Sequence, residues 1–221
     1  MLFHQQSADL PVVDIMKSKI AALFATLAIA GAAQAAPTYL PVGAQGNVSI
    51  DTVLNGGWTQ CYVGTMAQAI GNAAQNVLGA CTGDYLMMAG RATGSNTLLS
   101  LAAALRSDAI LNTGANTSNT HVANGANWYF APNWSWGFTA AGDSVSLSSC
   151  DVSNSPLSLC LHTLDNVGGY RINDIAGLNS STAYQKIFFQ ASAAQVPEPA
   201  TLALAGLALV GVAVSRRRKS A

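Results

Sequence analysis

The sequence predicts a mainly β fold, an antiparallel sandwich or jelly-roll-like domain with one short helix. Short apolar segments recur at roughly ten-residue spacing between residues 47 and 190, which is typical of such folds. Gly, Asn and Ser separate these segments and supply turns. The chain has 4 cysteines, an even number that suits a fold held by disulfide bonds.

Most of the predicted strands alternate apolar with polar residues, as strands with one buried face do. The run 84–91 is almost continuously apolar, which indicates a strand buried on both faces. The predicted strands are 47–54, 58–63, 84–91, 98–105, 107–111, 128–138, 143–150, 159–164, 170–173 and 184–190. Strands 47–54 and 58–63 are predicted to pair as one hairpin, and strands 143–150 and 159–164 as a second. The polar segment 112–127 is predicted to be a long loop with a solvated His121.

One helix is predicted over residues 65–79. Met66, Ile70 and Val77 follow the spacing of a buried helix face, and Thr65 is a suitable N-cap. Gly79 supplies a stop, while a second glycine weakens the middle of the segment.

The cysteines Cys61, Cys81, Cys150 and Cys160 all lie in this central region. Three pairings are possible, and the local one, Cys61 with Cys81 and Cys150 with Cys160, closes short loops without unusual topology. A metal site is the rival interpretation, but neither Cys-x-x-Cys nor paired histidine spacing occurs. The sequence therefore favours two structural disulfides, with no metal and no cofactor.

The C-terminal tail combines an uncharged apolar run, 200–214, with the cations Arg216, Arg217, Arg218 and Lys219. A helix over this run spans roughly 22 Å, short of the ~30 Å hydrocarbon core. It is predicted to be a marginal transmembrane helix that serves as a temporary anchor. The positive-inside rule keeps the cations cytoplasmic, so the residues before 196 are expected outside the inner membrane.

Just before this helix stands Val196-Pro197-Glu198-Pro199. The prolines bias the peptide toward an extended, accessible form that a protease can bind. The motif, helix and basic cluster over 196–221 resemble the PEP-CTERM sorting signal, the substrate tail of membrane proteases called exosortases. The resemblance implies recognition at Pro197-Glu198-Pro199 with cleavage nearby. An ordinary anchor with a chance Pro-Glu-Pro is the alternative.

The N-terminal region predicts export. The basic Met16-Lys17-Ser18-Lys19 precedes an apolar run, which ends in the small residues Ala33 and Ala35. We expect 16–35 to be a signal peptide that signal peptidase cleaves before Ala36, and 1–15 to be an upstream extension. An uncleaved N-terminal anchor is the alternative.

The region between the two signals, 36–195, is long enough to form one exported domain with its own core. It carries fewer cations than acids, so its net charge is negative and it offers no basic patch for nucleic acid. The cations are Arg91, Arg106, Arg171 and Lys186, and the acids are Asp51, Asp84, Asp108, Asp143, Asp151, Asp165 and Asp174.

The segment 128–138 is rich in aromatic residues. In a strand, Trp134, Trp136 and Phe138 share one face, because side chains alternate across a sheet. An inward face makes these rings core, which is the usual outcome. An outward face makes them a platform on which sugar rings can stack.

No catalytic residue is assigned. A hydrolase could use His162, Asp165 and several serines as catalytic groups. However, the Gly-x-Ser-x-Gly elbow of serine hydrolases does not occur, and no Glu precedes the sorting motif to act as the acid of a glycosidase. Four segments resemble parts of an uncharacterised domain of secreted bacterial proteins, and this resemblance implies no activity. The segments are 81–91, 128–130, 134–138 and 159–163.

The sequence favours a non-enzymatic surface or extracellular-matrix protein. The resemblance to exosortase substrates implies an association with biofilm and exopolysaccharide. The alternatives are a carbohydrate-binding module displayed by the same route and a secreted hydrolase.

Overall fold

The computed structural model describes residues 36–146, 150, 152 and 156–193. Within these ranges the chain is mainly β with antiparallel sheets, as predicted, but it has a few short helices where one was predicted. The strands are β1 (Val48–Ser49), β2 (Thr59–Thr65), β3 (Tyr85–Ala92), β4 (Thr97–Leu98), β5 (Ser100–Leu105), β6 (His121–Ala123), β7 (Ala126–Phe130), β8 (Ser135–Ala140), β9 (Ser158–Leu164), β10 (Val167–Ile172) and β11 (Tyr184–Ala191). The α-helices are α1 (Ile50–Asn55), α2 (Gln75–Ala80) and α3 (Arg106–Ala109), and Asn72–Ala74 and Leu178–Ser180 are 3₁₀ turns.

Among the described residues the strands form two main sheets and one small ribbon. A 5-stranded meander has the order β10-β9-β8-β7-β6, and a 4-stranded sheet has the order β2-β11-β3-β5. All ladders are antiparallel, and β1 pairs with β4 in the ribbon. The last strand, β11, is therefore inserted between β2 and β3, and both of its edges are hydrogen-bonded.

The two main sheets share one core. Trp136 from the meander and Phe188 from the 4-stranded sheet are both fully buried, and their ring centroids are 5.1 Å apart. A separate apolar cluster covers the opposite face of the 4-stranded sheet, where Val53 of α1 and Trp58 pack against Ile187 and Phe189. Each side of this sheet is thus buried, which explains the continuous apolar run in β3.

The predicted strand 47–54 is wrong, because only Val48 and Ser49 are extended. Ser49 caps α1, since its Oγ accepts a hydrogen bond from the amide of Asp51. Ile50 and Val53 are then buried at helical spacing. The second half of the predicted hairpin is found as β2, but it pairs with β11 while β1 pairs with β4, so the first hairpin is wrong.

The predicted helix over 65–79 is also wrong. Thr65 ends β2, where it pairs with Gln185, and only residues 75–80 are α-helical. Gly71 has a φ of +80° and Ala73 a φ of +52°, and neither angle fits a right-handed helix. The regularly spaced apolar residues instead lie in a series of tight turns, and their side chains enter the core between the sheets.

Three further boundaries differ from the prediction. Residues 106–109 form α3 rather than a strand, and the predicted loop 112–127 contains β6. His121 lies in that strand, where its Nε2 is 3.0 Å from Asp108 Oδ1, so it is not simply solvated. Strand β9 pairs with β8 and β10 rather than with 143–150, so the second hairpin is wrong.

Both predicted disulfides are present. Cys61–Cys81 joins β2 to the end of α2, with Cα atoms 5.2 Å apart. Cys150–Cys160 holds the segment after β8 against the outer face of β9, where it packs with Tyr129. No cysteine is left free.

Candidate functional site

Several predicted functional residues lie outside the described residues. They are the signal-cleavage residues Ala33 and Ala35, the sorting motif Val196–Pro199, the transmembrane run 200–214 and the cations at 216–219. Ala36 is the first residue that the structure describes. Within the described ranges, no helix combines the length and apolar character needed to cross a bilayer.

The predicted row of three aromatic residues does not form. Trp136 and Phe138 are 0% exposed and point into the core between the sheets, so the three-ring outward platform is wrong. Trp134 precedes β8 and is 36% exposed. The turn before the strand breaks the alternation, because Asn133 takes a left-handed φ of +57°.

Trp134 is held by a set of hydrogen bonds to the neighbouring strand. Its amide donates to Thr163 Oγ1 at 2.8 Å, and its carbonyl accepts from the amide of Thr163 at 3.3 Å. The Thr163 hydroxyl donates in turn to the carbonyl of Ala131 at 2.7 Å. Thr163 is fully buried, so this turn has a fixed backbone from which the indole projects.

The exposed indole lines an open cleft of about 290 Å³ together with Ser135, His162 and Leu164. His162 and Leu164 alternate along β9 with Leu161, whose side chain enters the inter-sheet core. They therefore lie on the outer face of the meander. This combination of an exposed ring, aliphatic surface and an imidazole suits a small ligand with one apolar face.

The imidazole of His162 is half-buried and stacks edge-on against Tyr170, with ring centroids 6.0 Å apart. Burial lowers the pKa of His162, although Asn179 and the backbone of Trp134 oppose this shift. The ring is therefore mainly neutral at pH 7. Its Nε2 is buried and makes no hydrogen bond to a described residue.

The His162 and Asp165 pair suggested by the sequence does not form. Asp165 accepts hydrogen bonds from the amide and the side chain of Asn72, at 2.9 and 2.6 Å. The carboxylate is thus used to hold the turn before α2. In the described part of the chain, no group of three or more His, Cys, Asp or Glu side chains is arranged to hold a metal.

A second, polar cleft of about 280 Å³ lies at the end of β11. Its lining residues are small or uncharged, and they are Gly57, Thr59, Thr82, Gly83, Gln190, Ala191 and Ser192. Gln190 Oε1 closes one side by accepting from the amides of Thr82 and Gly83, at 2.7 and 3.0 Å. Sequence patterns did not indicate this cleft, because its residues come from three separate segments.

Lys186 is a fully buried cation on β11. Its Nζ donates to the carbonyls of Gln68 and Met66, and no carboxylate of a described residue bonds it. Burial lowers its pKa from 10.5 to about 8. Burial disfavours the charged form, so this amine loses its proton more easily than an exposed lysine does.

We expect the free energy of unfolding to rise as the pH is raised from about 8 to about 9.5. In this window the folded state releases the Lys186 proton while the unfolded state, with a pKa near 10.5, keeps it. The neutral amine can still donate to both carbonyls. Urea titrations at several pH values measure the effect, and Lys186→Met should flatten the curve. Parallel curves for the two proteins would contradict this assignment.

The disulfide-containing β domain and the Pro-Glu-Pro tail together define a protein of the exported class. Residues 195–219 match the family model for the PEP-CTERM protein-sorting motif. The chain therefore carries this motif, which implies an exported protein targeted to an exosortase, and the resemblance seen in the sequence is confirmed. Neither the curated proteins nor the solved structures contain a match to the chain.

Proposed function

We propose that this is a non-enzymatic surface or extracellular-matrix protein, released through processing of its tail by an exosortase-like membrane protease. The observation that carries the proposal is the sorting motif at 195–219, which begins directly after a disulfide-containing domain. The tail holds the protein temporarily in the inner membrane with its C-terminus in the cytoplasm. Signal peptidase removes the N-terminal signal, and cleavage near Pro197-Glu198-Pro199 frees the domain.

A structural rather than a catalytic role is supported by the way the polar groups are used. Asp165 bonds Asn72 instead of His162, and Asp143 accepts from the hydroxyl of Thr139 at 2.8 Å. The cation of Arg106 is similarly directed to the carbonyls of Cys81 and Leu78. These charged groups hold turns and strand ends in place. Association with exopolysaccharide follows from the kind of system that carries this motif.

The sorting proposal is tested with the full chain in a host that has the cognate protease. Glu198→Ala should leave the protein uncleaved in the membrane fraction, while the wild-type chain reaches the extracellular fraction in shortened form. Glu198 is the only carboxylate of the motif, and Val196→Ala, two positions before it, changes the motif without changing its charge. Normal release of the Glu198→Ala chain contradicts the proposal.

A second function, carbohydrate binding, is favoured by the cleft at Trp134. One partly exposed indole can stack on the apolar face of a sugar ring, and the imidazole of His162 lines the same cleft. A mainly neutral imidazole fits an uncharged sugar. The volume of about 290 Å³ allows one or two sugar units rather than a long groove.

Trp134→Ala is expected to reduce binding to an insoluble neutral polysaccharide by about tenfold or more, because stacking on the exposed indole of the cleft is lost. Leu111→Ala, which removes another exposed apolar side chain, serves as the matched control. A glycan array followed by pull-down measures both variants. Equal retention of Trp134→Ala and the wild-type protein contradicts carbohydrate binding at this cleft.

A further inference from the structure

The chain is fixed almost up to the sorting motif. Strand β11 is paired on both sides, so it cannot fray from an edge, and its last residue Ala191 is in register with Tyr85. Two residues later the amide of Ala193 donates to Asp84 Oδ2 at 2.7 Å. The carboxylate that follows the Cys81 turn therefore sets where the tail leaves the domain.

The remaining tether is short. Only Ala194, Gln195 and Val196 separate Ala193 from Pro197. Even when fully extended, four residues span at most about 14 Å. A domain of this size is more than about 30 Å across, so the motif cannot move far from the surface at which β11 ends.

A protease that binds an extended peptide uses several residues on each side of the cleaved bond. On the N-terminal side of this motif, those residues immediately adjoin the folded domain. Unfolding β11 to supply more chain would disrupt both of its ladders and the core around Phe188. The protease must therefore approach the folded domain itself.

We propose that the surface around the polar cleft at the end of β11 contacts the protease that recognises the motif. We call this surface the exit face and define it by Thr59, Thr82, Gly83, Gln190 and Ser192. The inference rests on the proposed function, because it takes the motif to be processed by an exosortase-like protease. It adds that the domain is part of the substrate.

The features of the exit face suit such a contact. It is concave and uncharged, and Gln190 and Asp84 fix the backbone that forms it. The motif directly precedes the predicted transmembrane run 200–214, so a membrane protease that binds it does so close to the bilayer surface. The short tether keeps the exit face close to that position.

The test places a large side chain on the exit face of the full chain. Thr82→Trp should slow release by about tenfold or more, because Thr82 is exposed beside the exit point and the indole blocks close approach. Thr182→Trp is the matched control, since Thr182 is also exposed but precedes β11 at the opposite end of the sheet. It should be released at the wild-type rate.

A spacer separates close approach from other causes. Adding a flexible Gly-Ser segment of about 12 residues between Ala194 and Gln195 extends the tether by tens of ångströms. In the Thr82→Trp chain this spacer should restore release to within about twofold of the wild-type rate. Thr59→Trp provides a second exit-face variant if Thr82→Trp fails to fold.

Each outcome decides a different point. Wild-type release of both exit-face variants, or slow release that the spacer does not restore, overturns the role of the exit face. Glu198→Ala serves as the separate check on sorting. If that variant is released normally, the proposed processing itself fails, and the contact fails with it.

Discussion

Gly168→Ala should destabilise the domain by about 3 kcal/mol or more, because the added methyl group overlaps backbone that cannot move aside. A Cβ at this position meets the carbonyl oxygen of Met66 and lies 2.9 Å from the carbonyl carbon of Ala67. The next residue, Gly169, donates its amide to the same Met66 carbonyl at 2.6 Å. The turn after β2 therefore lies directly on β10.

Urea unfolding of Gly168→Ala measures this loss, and Gly142→Ala is the matched control. A Cβ at Gly142 has no heavy atom within 4 Å, so that variant should stay within about 0.5 kcal/mol of the wild type. A small loss for Gly168→Ala would mean that the turn around Met66 does not pack on β10 as described.

Removal of the Cys61–Cys81 bridge is expected to be similarly costly. The bridge links residues 20 apart, and the chain-entropy model gives about 3 kcal/mol for a loop of this length. Cys81 is fully buried, so the double variant Cys61→Ala, Cys81→Ala also loses packing next to α2. Denaturation of the double variant and the wild type under oxidising conditions gives the difference.

The second bridge provides the comparison for the first. Cys150–Cys160 joins residues only 10 apart, so its double-alanine variant should lose slightly less stability. Trp134 fluorescence and ligand binding should change more in this variant, because Cys160 lies two positions from His162 on the outer face of β9. Equal stability of both double variants and the wild type would show that neither bridge contributes to folding.

The strands β3, β5 and β11 could be predicted because their apolar runs are determined by burial alone. Both disulfides could be predicted because a short loop between cysteines needs little chain rearrangement. The tail could be identified because its motif and its apolar run can be recognised in the sequence without any tertiary contact. These features depend on local sequence.

The errors occurred where a tertiary contact overrides a local pattern. Apolar spacing after Thr65 has a helical period, yet the glycine at 71 and the burial of Met66 against Gly169 produce turns. The separation of Trp134 from Trp136 and Phe138 was not predicted, because it depends on the left-handed Asn133 in a turn and on a hydrogen bond to Thr163 of a neighbouring strand. Asn-Trp after a proline was the one available signal of that turn.

Mass spectrometry of the protein recovered outside the cells tests the central claim most directly. An exported, processed domain should begin near Ala36, lack the residues after the Pro-Glu-Pro motif, and yield peptides linked through Cys61–Cys81 and Cys150–Cys160. A chain found only in the cytosol, with an uncut tail and four reduced thiols, would contradict the account.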